Sequence, residues 1–417
     1  MQRDVAPGPE VRDMQVIGDT RLRSHRKGRP APVSAQAVLE IVEWLASNEC
    51  HEQDDAGLIA GLGLRLRKTG LPIDRLALHL RTLHPEILGR TIAWAPNEPI
   101  EIRDREHGIL TTGAFVGSPL RQVMETGEAA LVRIDPDNKP GWTQIDIFQE
   151  RDLAEYYIVP LNNADGPVSA VTFCTGARGG FSESDLAALE RLLPALRNAC
   201  ELRILRRTEL TLLDTYIGAA TARRILAGHI RRGAVETLEA ALLLCDLRGF
   251  TEISNRLPSA RVLKLLDSYF DRVVPAITEA GGEILKFMGD AVLAFFPKDD
   301  AAQSCAAALR AAVDAQARLH EMPVSDAVLN AGIALHYGEV SYGNIGSGHR
   351  LDFTVIGPDV NLVSRIQTAC SNTNQPVLMS ARMAELLPEG ESVSVGHHPL
   401  RGFAQPVELF ARVAARD

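Results

Sequence analysis

Apolar and polar positions change their period several times along the chain, and each change predicts an element boundary. After Ser34, the residues Val38, Ile41, Val42 and Leu45 fall on one helical face, the pattern of an amphipathic helix with a serine cap. A second helix is predicted over about residues 55–68, closed by Gly70. Through residues 73–173 the period shortens to that of half-buried strands, as in Arg75-Leu76-Ala77-Leu78-His79-Leu80 and Thr91-Ile92-Ala93-Trp94. Residues 156–161 and 168–173 bracket Asn162-Asn163-Ala164-Asp165-Gly166-Pro167 in the manner of a hairpin. Ser182 then caps a long helix in which Leu186, Leu189, Leu193, Leu196, Leu202 and Leu205 keep helical spacing to roughly Ile217. Pro194 falls inside it and is expected to kink it or split it in two. Two readings of this helix stand: a seam with its own copy in a homodimer, or an amphipathic helix packed back on its own domain.

The C-terminal half has a different texture. LEAALLLCD, residues 238–246, is an apolar run ended by a carboxylate, which reads as a buried strand delivering Asp246 to its open end. Gly249 permits a tight turn into a helix carrying Val262, Leu265, Leu266, Tyr269, Phe270 and Val273. Residues 281–296 read as two apolar strands joined at a Met288-Gly289-Asp290 turn, with Lys286 four residues before Asp290. Carboxylates at the ends of apolar strands are costly to bury unless something compensates, and a pair of divalent cations does so. Either aspartate alone is more often a turn residue or a cap; their joint appearance with Lys286 shifts that balance. In residues 351–365, strand character ends at Gly357 and Pro358 suits the first turn of a helix. Asn361 and Arg365 then share one helical face, an amide and a guanidinium suited to ribose and phosphate.

Composition narrows these possibilities. A chain of 417 residues favours two domains, and a net charge of −9 argues against a nucleic-acid binder acting through bulk positive charge. Six cysteines without a CxxC pair read as reduced packing thiols, which points to a cytoplasmic protein. No stretch approaches the ~20 apolar residues of a membrane span. Residues 1–32, with Arg21, Arg23, Arg26, Lys27 and Arg29, read as a solvated disordered tail. The cysteine and histidine positions Cys50, His51, His79 and His84 have no metal-site spacing, and Trp94 and Trp142 read as core or rim residues.

Four blocks in the second half, CDLRGFT (245–251), GGEILKFMGDAVLAFF (281–296), HYGEVSYGNIG (336–346) and DFTVIGPDVNLVSR (352–365), together resemble the class III nucleotidyl cyclase family in order and spacing. The resemblance covers most of residues 236–417. It implies an α/β (α+β) architecture with a ferredoxin-like C-terminal cyclase domain, acting as a head-to-tail homodimer with sites at the interface. It also implies that Asp246 and Asp290 bind two Mg²⁺ or Mn²⁺ ions with the Leu247 carbonyl as a further ligand. Lys286 and Thr354 match the pair that reads the purine edge, and Asn361 and Arg365 match the residues that orient the ribose and stabilise the transition state. Many members carry Asp where this chain has Thr354. Guanylate-specific members tend to place Glu and Cys at the Lys286 and Thr354 positions. Lys286 is a donor only, which suits adenine N1 and not the guanine N1–H.

The expected protein is therefore an adenylate cyclase that converts ATP to cyclic AMP and pyrophosphate. The alternatives are a guanylate cyclase or a catalytically silent nucleotide-binding signalling protein. Its expected domains are a tail (1–32), a mixed α/β sensor-like module (33–181), a connecting helix (182–235) and the cyclase domain (236–417). By element order alone, residues 33–181 resemble a GAF-type sensor, which implies an unknown small-molecule effector there.

Overall fold

The computed structural model describes residues 15–17, 32–134, 142, 145–161, 168–321, 329–347 and 350–413. The chain divides into two compact units, Met1–Leu212 and Leu213–Asp417, in keeping with an α/β chain whose N-terminal mixed domain and C-terminal domain are joined by a long helix.

The first unit is built on a seven-stranded sheet. From one edge to the other its strands are Gln15–Ile17, Ala130–Arg133, Glu155–Leu161, Ser169–Thr175, Arg75–Arg81, Ile87–Trp94 and Glu101–Glu106. The strand Gln15–Ile17 lies within the segment expected to be a tail and pairs in parallel with residues 130–132. One face of the sheet sends Leu76, Leu78, Leu80, Tyr157 and Phe173 into a core shared with the helices Ala35–Leu45, Asp55–Lys68 and Glu183–Ile217. Burial of these side chains, each contributing about 1.5–3 kcal/mol, holds helices and sheet together. The expected serine cap is present: Ser34 Oγ accepts from the Ala37 amide at 3.1 Å. The hairpin turn at 162–167 lies outside the described residues.

Helix Glu183–Ile217 runs unbroken through Pro194. Proline removes one intrahelical hydrogen bond, but Leu192, Leu193 and Leu196 around it are buried, and that packing carries the helix past the defect. The helical register does not continue into residues 219–226 as expected. Gly218 adopts φ 84°, in the left-handed region, and starts a separate helix, Ala219–Leu226, before the strand Val235–Leu247 begins. The connecting segment is thus a long helix, a turn and a short helix.

The second unit has an eight-stranded sheet. Its centre reads, in chain order, strand Val235–Leu247, helices Phe250–Arg256 and Ser259–Glu279, strands Glu283–Met288 and Ala291–Phe296, helix Ala301–Glu321, and strand Ala331–Ser347. Calling these strands first to fourth, the spatial order is fourth, first, third, second, with antiparallel neighbours. This is the βαββαβ ferredoxin-like arrangement. Strand Arg350–Ile356 pairs with the fourth, and helix Pro358–Thr373 follows it. Period-2 alternation decides which side chain faces which layer. Ala241, Leu243, Cys245 and Leu247 pack against the two long helices, while Ala240, Leu242 and Leu244 pack toward Val363 and Ile366 of helix Pro358–Thr373. All six cysteines are buried free thiols. Among the described residues no helix is long and apolar enough to cross a membrane.

Candidate active site

Alternation along the central strand aims Asp246 at the helix Pro358–Thr373, on the same side as Ala240, Leu242 and Leu244. Its Oδ2 accepts a 2.9 Å hydrogen bond from Gln367 Nε2 of that helix. Asp290 reaches the same place from the neighbouring hairpin. Met288 pairs with Ala291, leaving Gly289 and Asp290 as a two-residue turn, and Gly289 supplies the left-handed φ of 68° that the turn requires. Val292, two residues on, pairs with Cys245 beside Asp246. Burial, then a hydrogen bond and charge repulsion from Asp290, push Asp246 up to about 7, against weaker donation from Gln367 and the Leu247 amide.

A divalent cation fits this pair, because it would remove the repulsion and the desolvation penalty together. The described residues contain no group of three or more His, Cys, Asp or Glu placed to hold a metal. Leu247 keeps its side chain in the core, 3% exposed, while its carbonyl belongs to the strand end beside Asp246.

Lys286 lies on strand Glu283–Met288, and its ammonium forms an ion pair with Asp352 on strand Arg350–Ile356. Thr354 is two residues after Asp352, hence on the same face of that strand, and is 8% exposed. Thr354 is thus a buried polar group beside the anchor of the lysine. Asn361 and Arg365 are exposed and half-buried respectively, and among the described residues neither side chain has a hydrogen-bond or ionic partner. They are four residues apart on one helix face. Gln367, the contact of Asp246, is about 200° around the helix from Arg365. The helix therefore shows one face to the carboxylates of its own chain and turns Asn361 and Arg365 away from them.

Sequence reading missed four supports of this geometry. Gln367 lies two residues past Arg365, outside the recognised block, and gave no signal. Asp352 was inside a block but had no assigned role. Asp359 accepts from the Glu339 amide at 2.7 Å and pairs with His336 Nε2 at 3.1 Å, while His336 Nδ1 meets Ser380 Oγ at 2.7 Å. This chain of contacts fixes the start of the helix that carries Asn361 and Arg365. Gly338 is needed there, because a Cβ would come within 2.1 Å of the Asp359 carboxylate. Arg248 bonds to Asn374 Oδ1 at 3.1 Å and to the carbonyls of Cys370 and Gln375 at 3.1 and 2.5 Å. It ties the turn after Asp246 to the negative end of the same helix.

Residues 234–410 match the family model described as adenylate and guanylate cyclase catalytic domain. An adenylate cyclase of Anabaena cylindrica is 33% identical over 176 residues, 40% of this chain and 34% of that protein. The terminal-differentiation-specific adenylate cyclase of Dictyostelium discoideum is 30% identical over 142 residues, 33% of this chain and 7% of that protein. The chain thus spans about a third or less of the length of these relatives. The adenylyl cyclase CyaB from P. aeruginosa is a similar solved structure, with 25% identity, coverage of 44% of this chain and 97% of that one, and a TM-score of 0.38.

Proposed function

We propose that this chain, whose residues 234–410 match the adenylate and guanylate cyclase catalytic-domain model, is an adenylate cyclase, forming cyclic AMP and pyrophosphate from ATP in a homodimer. The observation that carries the choice of nucleotide is the Lys286–Asp352 ion pair beside buried Thr354. It holds a donor-only cation where the base edge would lie. Adenine N1 accepts from such a group, whereas the guanine N1–H has nothing to donate to. The Asp352 carboxylate fixes the direction of the lysine, and Thr354 adds a hydroxyl that both donates and accepts.

In the reaction, the 3′-hydroxyl oxygen bonds to the α-phosphorus while the bond from that phosphorus to the bridging oxygen breaks and pyrophosphate departs. Asp246 takes the hydroxyl proton, directly or through water. Asn361 orients the ribose. Arg365 neutralises charge growing on the α-phosphate oxygens, where a positioned group contributes about 10²–10³ in rate. Mg²⁺ or Mn²⁺ ions held by Asp246, Asp290 and the Leu247 carbonyl would neutralise the triphosphate and acidify the 3′-hydroxyl.

The homodimer reading is supported by the opposed faces of helix Pro358–Thr373. Carboxylates and transition-state groups of one chain point apart, and a two-fold partner turned head to tail brings the two sets together. The long helix offers a seam as well: Leu202, Leu205 and Leu212 recur at coiled-coil spacing and are exposed. Residues 33–181 are proposed as the regulatory module.

The direct test measures cyclic nucleotide formation by the purified chain, with ATP and then GTP, in Mg²⁺ and then Mn²⁺. Cyclic AMP from ATP, with GTP converted far more slowly, is the expected result. Preferential turnover of GTP would overturn the nucleotide assignment. ATP binding without product under any of these conditions would leave a silent nucleotide-binding protein instead.

A further inference from the structure

The face of the N-terminal sheet opposite helices Ala35–Leu45, Asp55–Lys68 and Glu183–Ile217 lines an open cavity of about 210 Å³. The alternation that sends Leu76, Leu78 and Leu80 toward the helices sends Arg75, His79 and Arg81 the other way. Strand register extends this polar surface: His79 is opposite Thr91 and Thr91 opposite Arg103, while Arg81 is opposite Gly89 and Gly89 opposite Arg105. Gly89 puts no side chain between the two arginines of its row.

The charge of this wall is balanced only in part among the described residues. Arg103 and Arg151, also at the cavity, pair with Glu101 and Glu98. Among the described residues no carboxylate pairs with Arg75, Arg81 or Arg105. Burial lowers the basicity of Arg81 and Arg105; in Arg105 the neighbouring Arg103 adds to the effect and Glu101, also on the cavity, opposes it. His79 is pushed down to about 3 by burial and then by Arg75 and Arg105, so it is neutral at pH 7. Its Nδ1 meets Thr91 Oγ1 at 3.2 Å, while its Nε2 is buried with no partner among the described residues. Trp142 is 6% exposed and its indole N–H also lacks a partner among the described residues. Buried polar atoms in folded proteins are nearly always satisfied, and two orphans on one cavity are best explained by a ligand. The remaining wall is apolar and aromatic. Phe148 lies 4.7 Å from Trp142 and Tyr156 lies 5.3 Å from it, centroid to centroid, and Leu120 and Met124 complete the surface.

We propose that this cavity binds a small organic anion with a flat apolar body. Arg75, Arg81 and Arg105 neutralise its carboxylate or phosphate, a geometry guanidinium groups favour. Trp142 Nε1 and His79 Nε2 complete its hydrogen bonds, and the Trp142, Phe148 and Tyr156 rings cover its body. The site is complete within one chain and does not depend on the cyclase reading, since its test reads binding alone.

Phenyl phosphate is a suitable probe, with phenol as its uncharged counterpart, each titrated into the full-length protein by calorimetry and by thermal unfolding. Phenyl phosphate is expected to raise the Tm and to bind at least about tenfold more tightly than phenol. The double substitution R75Q/R105Q should weaken phenyl phosphate about tenfold or more. The same substitution should leave the ligand-free Tm unchanged or higher, because it removes like-charge repulsion; arginines with a purely structural role would lower it. Should that variant fail to fold, Trp142→Phe and Arg81→Gln in the same titrations decide the matter, each with weaker binding expected. No saturable binding at millimolar phenyl phosphate would overturn the assignment, as would equal affinity for phenol or undiminished binding by the variants.

Discussion

At the end of strand Val235–Leu247 two carboxylates crowd together beside a neutral amide, Gln367. On the polar face of the N-terminal sheet, the guanidinium groups of Arg75, Arg81 and Arg105 face a cavity, and among the described residues none of the three is paired with a carboxylate. Both are like-charge clusters set on a sheet, and both leave countercharge to be supplied from outside. They differ in how much of the site one chain completes. The cavity draws its cations from adjacent strands of one sheet and its rings from a strand, a helix and the segment before that helix, all within one unit of the chain. The carboxylates have their proposed partners, Asn361 and Arg365, on the far side of a helix that touches Asp246. A site split in this way can be switched by changing how two copies meet. A site closed within a single sheet can report only whether its ligand is present.

Mixing variants breaks this comparison most sharply. Asp246→Ala and Arg365→Ala each remove one half-site and are expected to lower cyclase turnover about 10²–10³-fold, Arg365→Ala with little change in KM. Mixed in equal amounts, the two inactive chains should recover roughly a quarter of wild-type activity. Half of the dimers formed are mixed, and each mixed dimer holds one intact site of two. Activity that stays at the level of either variant would show that the catalytic groups converge within one chain. The R75Q/R105Q cavity variant has no such complement, and mixing it with another cavity variant should restore no binding.

The next effect is on stability. The folded-state pKa of Asp246, about 7, lies above the ordinary value of 3.8. The folded protein therefore holds a proton that the unfolded chain releases between those values. The sign follows from linkage: this group's stabilising contribution is present at low pH and is lost as pH rises from about 4 to 7. In EDTA, the Tm of wild-type protein should fall with rising pH relative to that of Asp246→Asn. Added Mg²⁺ or Mn²⁺ at pH 7.5 should raise the wild-type Tm and barely move the variant's. Parallel pH profiles for the two proteins would remove the basis for treating Asp246 and Asp290 as a cation site.

How far the sequence reveals these two clusters differs in the same way. The strands, the Gly289 turn and the helix after Pro358 were legible because local rules govern them: apolar runs, a left-handed glycine, a proline in a first turn. The candidate catalytic residues were legible through blocks whose spacing is set by those same elements. The alternation from Arg75 to Leu80 was visible as well, but a face carrying Arg75, Ala77 and His79 reads as the solvated side of a half-buried strand. Only the partners of the strand, the register at Gly89 and the approach of Trp142 turn that face inward. Gln367 and Asp352 were missed for a related reason, since each acts through a tertiary contact that no local pattern announces. The break at Gly218 was missed because Ala219–Leu226 has helical periodicity of its own.

The smallest expected effect tests whether an internal countercharge does for Lys286 what the carboxylate pair and the cavity lack. Lys286 and Asp352 are 35% and 51% exposed in their side chains, so the pair should contribute little to stability, about 1 kcal/mol or less. Asp352→Asn should therefore leave the Tm nearly unchanged. Its consequence should appear in recognition, because a lysine released from its anchor samples more rotamers and presents its donors less often to adenine N1. The expected result is a rise of a few fold in the KM for ATP and a narrower preference for ATP over GTP, with kcat largely kept. A large fall in kcat at constant KM would instead place Asp352 among the groups that act on the transition state. An unaltered preference would mean that Thr354, buried on the same face, suffices to read the base.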